Sequence, residues 1–216
     1  MKLKEERENI REYCLKMLRS GLTKGTGGNI SIYNRQEGLV AISPSGMPYE
    51  DLTAEDIAVV NIDGEMIEGK NKPSSELSMH LGVYKKREEL NAVVHTHSIF
   101  AKTLSSLRIE LPAVSYLVAV AGKNVNCAEY ASFGTPELAT NALKGLGNNK
   151  AVLLANHGLL AVGVNIQDAF NVAEEIEMCC EVYVRSLSIG TPVILDNAEM
   201  DHMLERFKTY GLPQAK

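Results

Sequence analysis

The sequence predicts an α/β fold: one domain over residues 1–216, with a central, largely antiparallel (mixed) sheet flanked by helices on both faces as three α/β/α layers. Three observations predict it. Segments with helical periodicity alternate with short apolar runs of strand length. Several strand pairs are joined by turns too short for a parallel crossover. No repeat, low-complexity stretch or linker divides the 216 residues, a length that buries a sizeable core without disulfides.

The elements follow in order. Ile10, Tyr13, Cys14, Met17 and Leu18 recur at helical spacing, and Gly21 is a natural stop. After the Gly-rich stretch at 24–29, ISIY and LVAIS read as two short strands. IAVVNI and EMIEG read as a hairpin about Asp63-Gly64. Residues 74–90 read as a helix capped by Ser74 or Ser75, with Leu77, Leu81 and Tyr84 on one face. AVVHTHS is a buried strand that turns polar at its end, followed by a short helix over about 98–106. Thr135-Pro136-Glu137 starts a further helix that ends near Gly145 or Gly147. AVLLANHGLLAVG reads as two apolar strands about a polar turn. Helices from about Ile166 to Leu187 and from about Asp196 to Tyr210 complete the chain.

Composition narrows the function classes. Hydrophobic residues make up 45% and charged residues 23%, an ordinary globular balance. A net charge of −5 argues against broad nucleic-acid binding, which needs clustered positive charge. The four cysteines form no CxxC, and Cys14, Cys179 and Cys180 fall in helical patterns where a buried free thiol is the default. The N-terminus lacks an apolar signal region, and nowhere do eighteen apolar residues run together. A cytoplasmic protein with no membrane partner is the expectation.

The chemistry concentrates in the histidines. His95 and His97 end an apolar strand, and its period of two sends both rings off one face from Cα atoms roughly 6.6 Å apart. Two imidazoles so placed can converge on one cation. His157 ends a second apolar strand, before Gly158. Taken singly, each histidine reads first as a hydrogen-bonded polar residue at a strand end. Taken together, three imidazoles leave a tetrahedral metal one position short, as in a catalytic zinc site. Glu76, in the expected first turn of the 74–90 helix, is a candidate for that position, although a glutamate there is also stabilised by the helix N-terminus alone. His80, mid-helix, and His202, in an acidic helix, read as structural or solvated.

Three loops can present backbone N–H groups to an anion: GTGGN at 25–29, Ser43–Gly46, and Lys72–Ser75 at a helix start. The first is neither a dinucleotide fingerprint nor a Walker loop. Each alone reads as a plain turn; the three together suggest a phosphate.

GTGGNIS, SPSG, KPSSE, AVVHTH, LPAVSYLVAVAG, YASFGTPELA and NHGLLAVG, in this order, resemble the class II aldolase family, of the aldolase/adducin-head type, from about residue 20 to the C-terminus. The ending ERFKTYGL is similar to the branch that acts on L-fuculose 1-phosphate. The resemblance implies one Zn2+ per subunit on Glu76, His95, His97 and His157. It implies a substrate phosphate held by Thr26, Gly28, Asn29, Ser45, Gly46, Ser74 and Ser75. Tyr116 and Tyr210 match tyrosines that such enzymes contribute to a neighbouring subunit's site, and Phe133 and Phe207 match aromatic residues near the same cleft. The implied assembly is a homotetramer with active sites between subunits. The implied reaction is reversible retro-aldol cleavage of L-fuculose 1-phosphate, or a related ketose 1-phosphate, to dihydroxyacetone phosphate and L-lactaldehyde, with Glu76 as base and Tyr116 exchanging a proton with the aldehyde oxygen. An L-ribulose-5-phosphate 4-epimerase is the alternative within the family, but epimerases typically carry Asp where this chain has Glu76. A non-catalytic, adducin-like protein would lack the metal ligands.

Overall fold

The computed structural model describes residues 1–209. Its centre is one eight-stranded sheet in the order β4-β3-β2-β1-β5-β8-β7-β6. The strands are β1 (Asn29–Asn34), β2 (Leu39–Ile42), β3 (Ala58–Asn61), β4 (Met66–Glu68), β5 (Ala92–Thr96), β6 (Cys127–Ala128), β7 (Ala151–Leu154) and β8 (Gly158–Gly163). Every pairing is antiparallel except β6 with β7. The helices are α1 (Lys4–Arg19), α2 (Leu77–Lys86), α3 (Ile99–Leu107), α4 (Pro136–Leu146), α5 (Ile166–Ile189) and α6 (Asn197–Phe207). Short 3-10 turns occupy Ala54–Asp56 and Tyr116–Val120.

Alternation along the strands builds the layers. Ile30, Ala41, Val59, Ala92, Val94, Leu153, Leu159 and Ala161 point into a core with residues of α1, α3, α5 and α6. Val40, Val60, Val93, Val152, Leu160 and Val162 point the other way, into a second core beneath α2 and α4. A strand buried on both faces must be apolar at every position, which is why β7 and β8 read as continuous runs. The period of two sends successive side chains to opposite layers.

Most expected elements stand. Thr135 caps α4 by accepting from the Leu138 amide, and Gly147 follows its last turn. Two differ. The helix expected over 74–90 covers only Leu77–Lys86. Glu76, rather than Ser74 or Ser75, is its N-cap residue, and Arg87 is extended at the other end. Arg87, where the helix ends, turns its guanidinium to the carbonyls of Gly147 and Asn149. The two-residue β6 and both 3-10 turns lie below the length at which periodicity gives a signal.

Candidate metal centre

Strand register assembles the site. Asn29 of β1 and His95 of β5 are direct partners, so their side chains share the face covered by α2. His97, two residues beyond His95, returns to that face. His157 arrives from the tight β7–β8 turn, where Asn156 adopts φ +55, a left-handed conformation that asparagine tolerates better than most residues. Two glycines let these strands close up. A Cβ on Gly158 would lie 2.2 Å from the Thr96 carbonyl oxygen, and one on Gly28 would lie 2.5 Å from that of His95.

The three imidazoles converge, His95 and His97 in the way the HxH spacing predicts. Ring centroids are 4.9 Å apart for His95–His97, 4.8 Å for His95–His157 and 5.1 Å for His97–His157. Nε2 of His95 lies 3.1 Å from Nε2 of His97. Nδ1–H of His95 donates to the Leu159 carbonyl at 2.9 Å, which leaves Nε2 as a bare lone pair facing the cluster. Burial first, and then the neighbouring imidazoles, pull His97 down to about 3 and His157 down to about 4. Both are therefore neutral lone-pair donors near neutral pH.

Glu76 lies against this cluster. Its Oε2 is 3.2 Å from His95 Nε2 and accepts a 2.8 Å hydrogen bond from Asn29 Nδ2; its Oε1 is 3.4 Å from His157 Nε2. Burial opposes ionisation of Glu76, but the His95 and His157 rings and the Asn29 amide outweigh it and hold the carboxyl below its ordinary range. Oε1 is buried and has no hydrogen-bond partner. A buried carboxylate oxygen without a donor is costly, and a cation among the three histidines would satisfy it. The donor set fits a metal: three clustered imidazole nitrogens with an acceptor-only oxygen beside them.

The three candidate phosphate loops lie close to Glu76 in the chain or in space. The Ser43–Gly46 and Lys72–Ser75 loops run together, with Ser45 N–H donating to the Lys72 carbonyl and Ser74 N–H to that of Ser43. The Tyr49 hydroxyl ties the glycine loop to them by donating to the Gly27 and Gly28 carbonyls at 3.0 and 2.7 Å. Thr26, Ser45, Gly46 and Ser75 are exposed and available, whereas Ser74 is buried and accepts from the Glu76 amide. Asn29 differs from that expectation in its bonding: its side chain is committed to Glu76 and His80.

Tyr116 and Phe207 sit away from the histidine cluster. Tyr116 is half exposed and stacks on Phe207 with ring centroids 6.4 Å apart. Both line a groove between the second 3-10 turn, α5 and α6 whose walls include neither Glu76 nor the three histidines. Phe133 is 72% exposed, and its neighbour Gly134 packs against the Ser75 carbonyl. Tyr210 lies outside the described residues. Missed from the sequence were Tyr49 and the buried set Ser31, His80 and Tyr84. A signal for the last set was available, because Glu76, His80 and Tyr84 form an i, i+4, i+8 stripe on one helix face.

The eight-stranded mixed sheet thus carries a three-histidine cluster that could hold a metal ion, beside loops with exposed backbone. The family described as Class II Aldolase and Adducin N-terminal domain matches residues 8–184, and the chain belongs to it. It is 58% identical over 211 residues to a 5-deoxy-D-ribulose 1-phosphate aldolase of Bacillus thuringiensis serovar kurstaki, covering 98% of this chain and 99% of that one. It is 43% identical over 205 residues to the L-fuculose phosphate aldolase of Escherichia coli strain K12, covering 94% of each. A solved L-fuculose 1-phosphate aldolase superposes with a TM-score of 0.93 at 45% identity, covering 94% of this chain and 96% of that one.

Proposed function

We propose that this chain is a zinc-dependent aldolase that cleaves a methyl-terminated ketose 1-phosphate between C3 and C4, releasing dihydroxyacetone phosphate and a short aldehyde. The observation that carries the reading is the buried, unpartnered Oε1 of Glu76 beside three converging imidazoles. His95, His97 and His157 would hold the ion, with Glu76 completing the set until substrate displaces it. When bound, zinc supplies a Lewis acid that stabilises the negative charge developing on the ketone oxygen.

The remaining roles belong to the chain's own side chains. Thr26, Gly28, Ser45, Gly46 and Ser75 hold the phosphate, with Asn29 and Ser74 supporting the loops from behind, so the reacting carbons keep one orientation. In cleavage the C4 hydroxyl gives its proton to Tyr116 of a neighbouring subunit as the C3–C4 bond breaks, the protonated form of Glu76 delivers one to C3 of the three-carbon fragment, and exchange with solvent resets both groups. In condensation Glu76 removes that proton, a step for which a positioned base contributes ~10²–10⁴-fold. Tyr116 and Tyr210 complete a neighbouring subunit's site, with Phe133 and Phe207 beside the cleft, in a homotetramer. The separation of the Tyr116–Phe207 groove from the subunit's own histidines supports this arrangement.

Two substrates share the required chemistry. The 58% identical relative favours 5-deoxyribulose 1-phosphate, which yields acetaldehyde. The sequence resemblance and the E. coli relative favour L-fuculose 1-phosphate, which is longer by one hydroxymethylene and yields L-lactaldehyde. Among the described residues no helix is long and apolar enough to cross a membrane, and all four cysteines are free, which supports a reducing compartment such as the cytoplasm. The test is metal analysis followed by a panel of ketose 1-phosphates and pentulose 5-phosphates scored for dihydroxyacetone phosphate. Release from the methyl-terminated 1-phosphates supports the reading. Interconversion of pentulose 5-phosphates without release supports the epimerase instead.

A further inference from the structure

We propose that His80 is a positioning residue for Glu76. A one-way chain of buried hydrogen bonds, running from Tyr84 through Ser31, His80 and Asn29, fixes which carboxylate oxygen of Glu76 is free to exchange a proton. The inference rests on Glu76 being the base of the proposed aldolase.

The polarity of the chain is forced from the carboxylate outward. An ionised carboxylate only accepts, so Asn29 donates Nδ2–H to Oε2 at 2.8 Å and its carbonyl Oδ1 faces away. That oxygen lies 2.6 Å from His80 Nε2, which must carry the proton. The neutral ring then has a bare Nδ1, 2.7 Å from the Ser31 hydroxyl, which must donate to it. Ser31 has spent its only proton, so the phenol of Tyr84 donates to it at 2.6 Å. Every hydrogen bond points towards Glu76, the arrangement in which successive bonds strengthen one another. The carboxamide in the middle transmits orientation and not protons.

Two soft torsions explain the need for such a chain. The terminal torsions of Glu and Asn are broad and nearly two-fold, so neither a carboxylate nor a carboxamide holds its plane without partners. Asn29 pins the Glu76 plane and His80 pins the Asn29 plane. Oε2 is thereby occupied, and Oε1 is left as the oxygen without a donor. All five residues are buried. Filling this face of α2 with apolar side chains would have served stability as well, because replacing both partners of a buried hydrogen bond with apolar groups is close to neutral. A polar stripe at Glu76, His80 and Tyr84 inside an otherwise apolar layer fits a positioning demand at the site.

The experiment measures exchange of the C3 proton of dihydroxyacetone phosphate with deuterated water by the zinc-loaded protein, alongside zinc per subunit and thermal unfolding. His80→Leu should lower the exchange rate constant about 10²-fold, the scale of a misplaced catalytic group, with KM within about twofold and zinc per subunit unchanged. His80→Gln restores an N–H donor near the Nε2 position and should recover exchange to within about tenfold of the parent. Tyr84→Phe removes only the last donor and should slow exchange by about 2- to 10-fold, the worth of one neutral hydrogen bond. Parent-level exchange in His80→Leu overturns the proposal. So does a loss that glutamine does not rescue and that follows the folded fraction. If His80→Leu does not fold, an unchanged rate in Tyr84→Phe overturns the proposal, and a slowed rate with zinc and fold intact upholds it. A parent protein that exchanges no proton and releases no dihydroxyacetone phosphate refutes the aldolase reading instead.

Discussion

Gly158→Ala probes how closely the metal centre depends on the approach of two strands. The added Cβ would meet the Thr96 carbonyl oxygen at 2.2 Å and His97 Cδ2 at 3.3 Å. Ordinary contact starts near 3.4 Å, so β5 and β8 must separate by about 1 Å to admit the methyl group, at an overpacking cost of about 1–3 kcal/mol. The neighbouring register position carries the 2.9 Å hydrogen bond from His95 to the Leu159 carbonyl. Lengthened by ~1 Å, it ceases to be a hydrogen bond, and the His95 ring loses its fixed tautomer and orientation. A displacement of that size costs about 10²-fold in turnover. Dihydroxyacetone phosphate release, zinc per subunit and thermal unfolding should all fall together. Gly190→Ala is the control, since that glycine is extended at φ 175 with nothing within 4 Å of an added Cβ. Full zinc content and turnover within about twofold of the parent in Gly158→Ala would refute the reasoning.

Further outcomes are expected. Glu76→Gln should lower turnover by ~10²–10⁴-fold while dihydroxyacetone phosphate still binds, checked by kinetics and calorimetry. Chelation should abolish turnover and Zn2+ should restore it; at a free concentration of 100 times Kd the ion adds about 2.7 kcal/mol to stability, read by denaturation with and without metal. Stability of the metal-free protein should fall with acid. Burial first, and then the nearby His95 ring, hold His80 at about 3 against an ordinary 6.5, so between those values the unfolded chain binds a proton that the folded one refuses. That contribution is intact above pH 6.5 and is lost as pH falls towards 3, by about 1.4 kcal/mol per pH unit. Urea denaturation from pH 4 to 6 should show a slope shallower by that amount in His80→Gln.

Local patterns were legible where the chain repeats itself. His95 and His97 were readable as a pair because a strand of period two allows only one relative direction for i and i+2, and their Nε2 atoms do face each other. The α4 boundaries were readable from Thr135 and Gly147, whose side-chain and backbone preferences act within one turn. Long-range facts were not. The Asn29–His95 register depends on which strands become neighbours, and the parallel β6–β7 pair rests on two residues whose composition says nothing of direction. His80 reads as structural or solvated because, mid-helix, it lacks the strand-end setting of the other three. Its partners, Asn29 and Ser31, lie about fifty residues away on β1. Glu76 was placed in the first helical turn from KPSSE; it is the capping residue just before that turn, and its carboxylate reaches the histidines.

The most direct measurement is a crystal structure of the zinc-loaded protein with anomalous data at the zinc edge. A single peak per subunit lying roughly 2.0–2.2 Å from nitrogens of His95, His97 and His157 and from an oxygen of Glu76 is the predicted result. A peak elsewhere, or three imidazoles that remain hydrogen-bonded only to protein with zinc in excess, would contradict it.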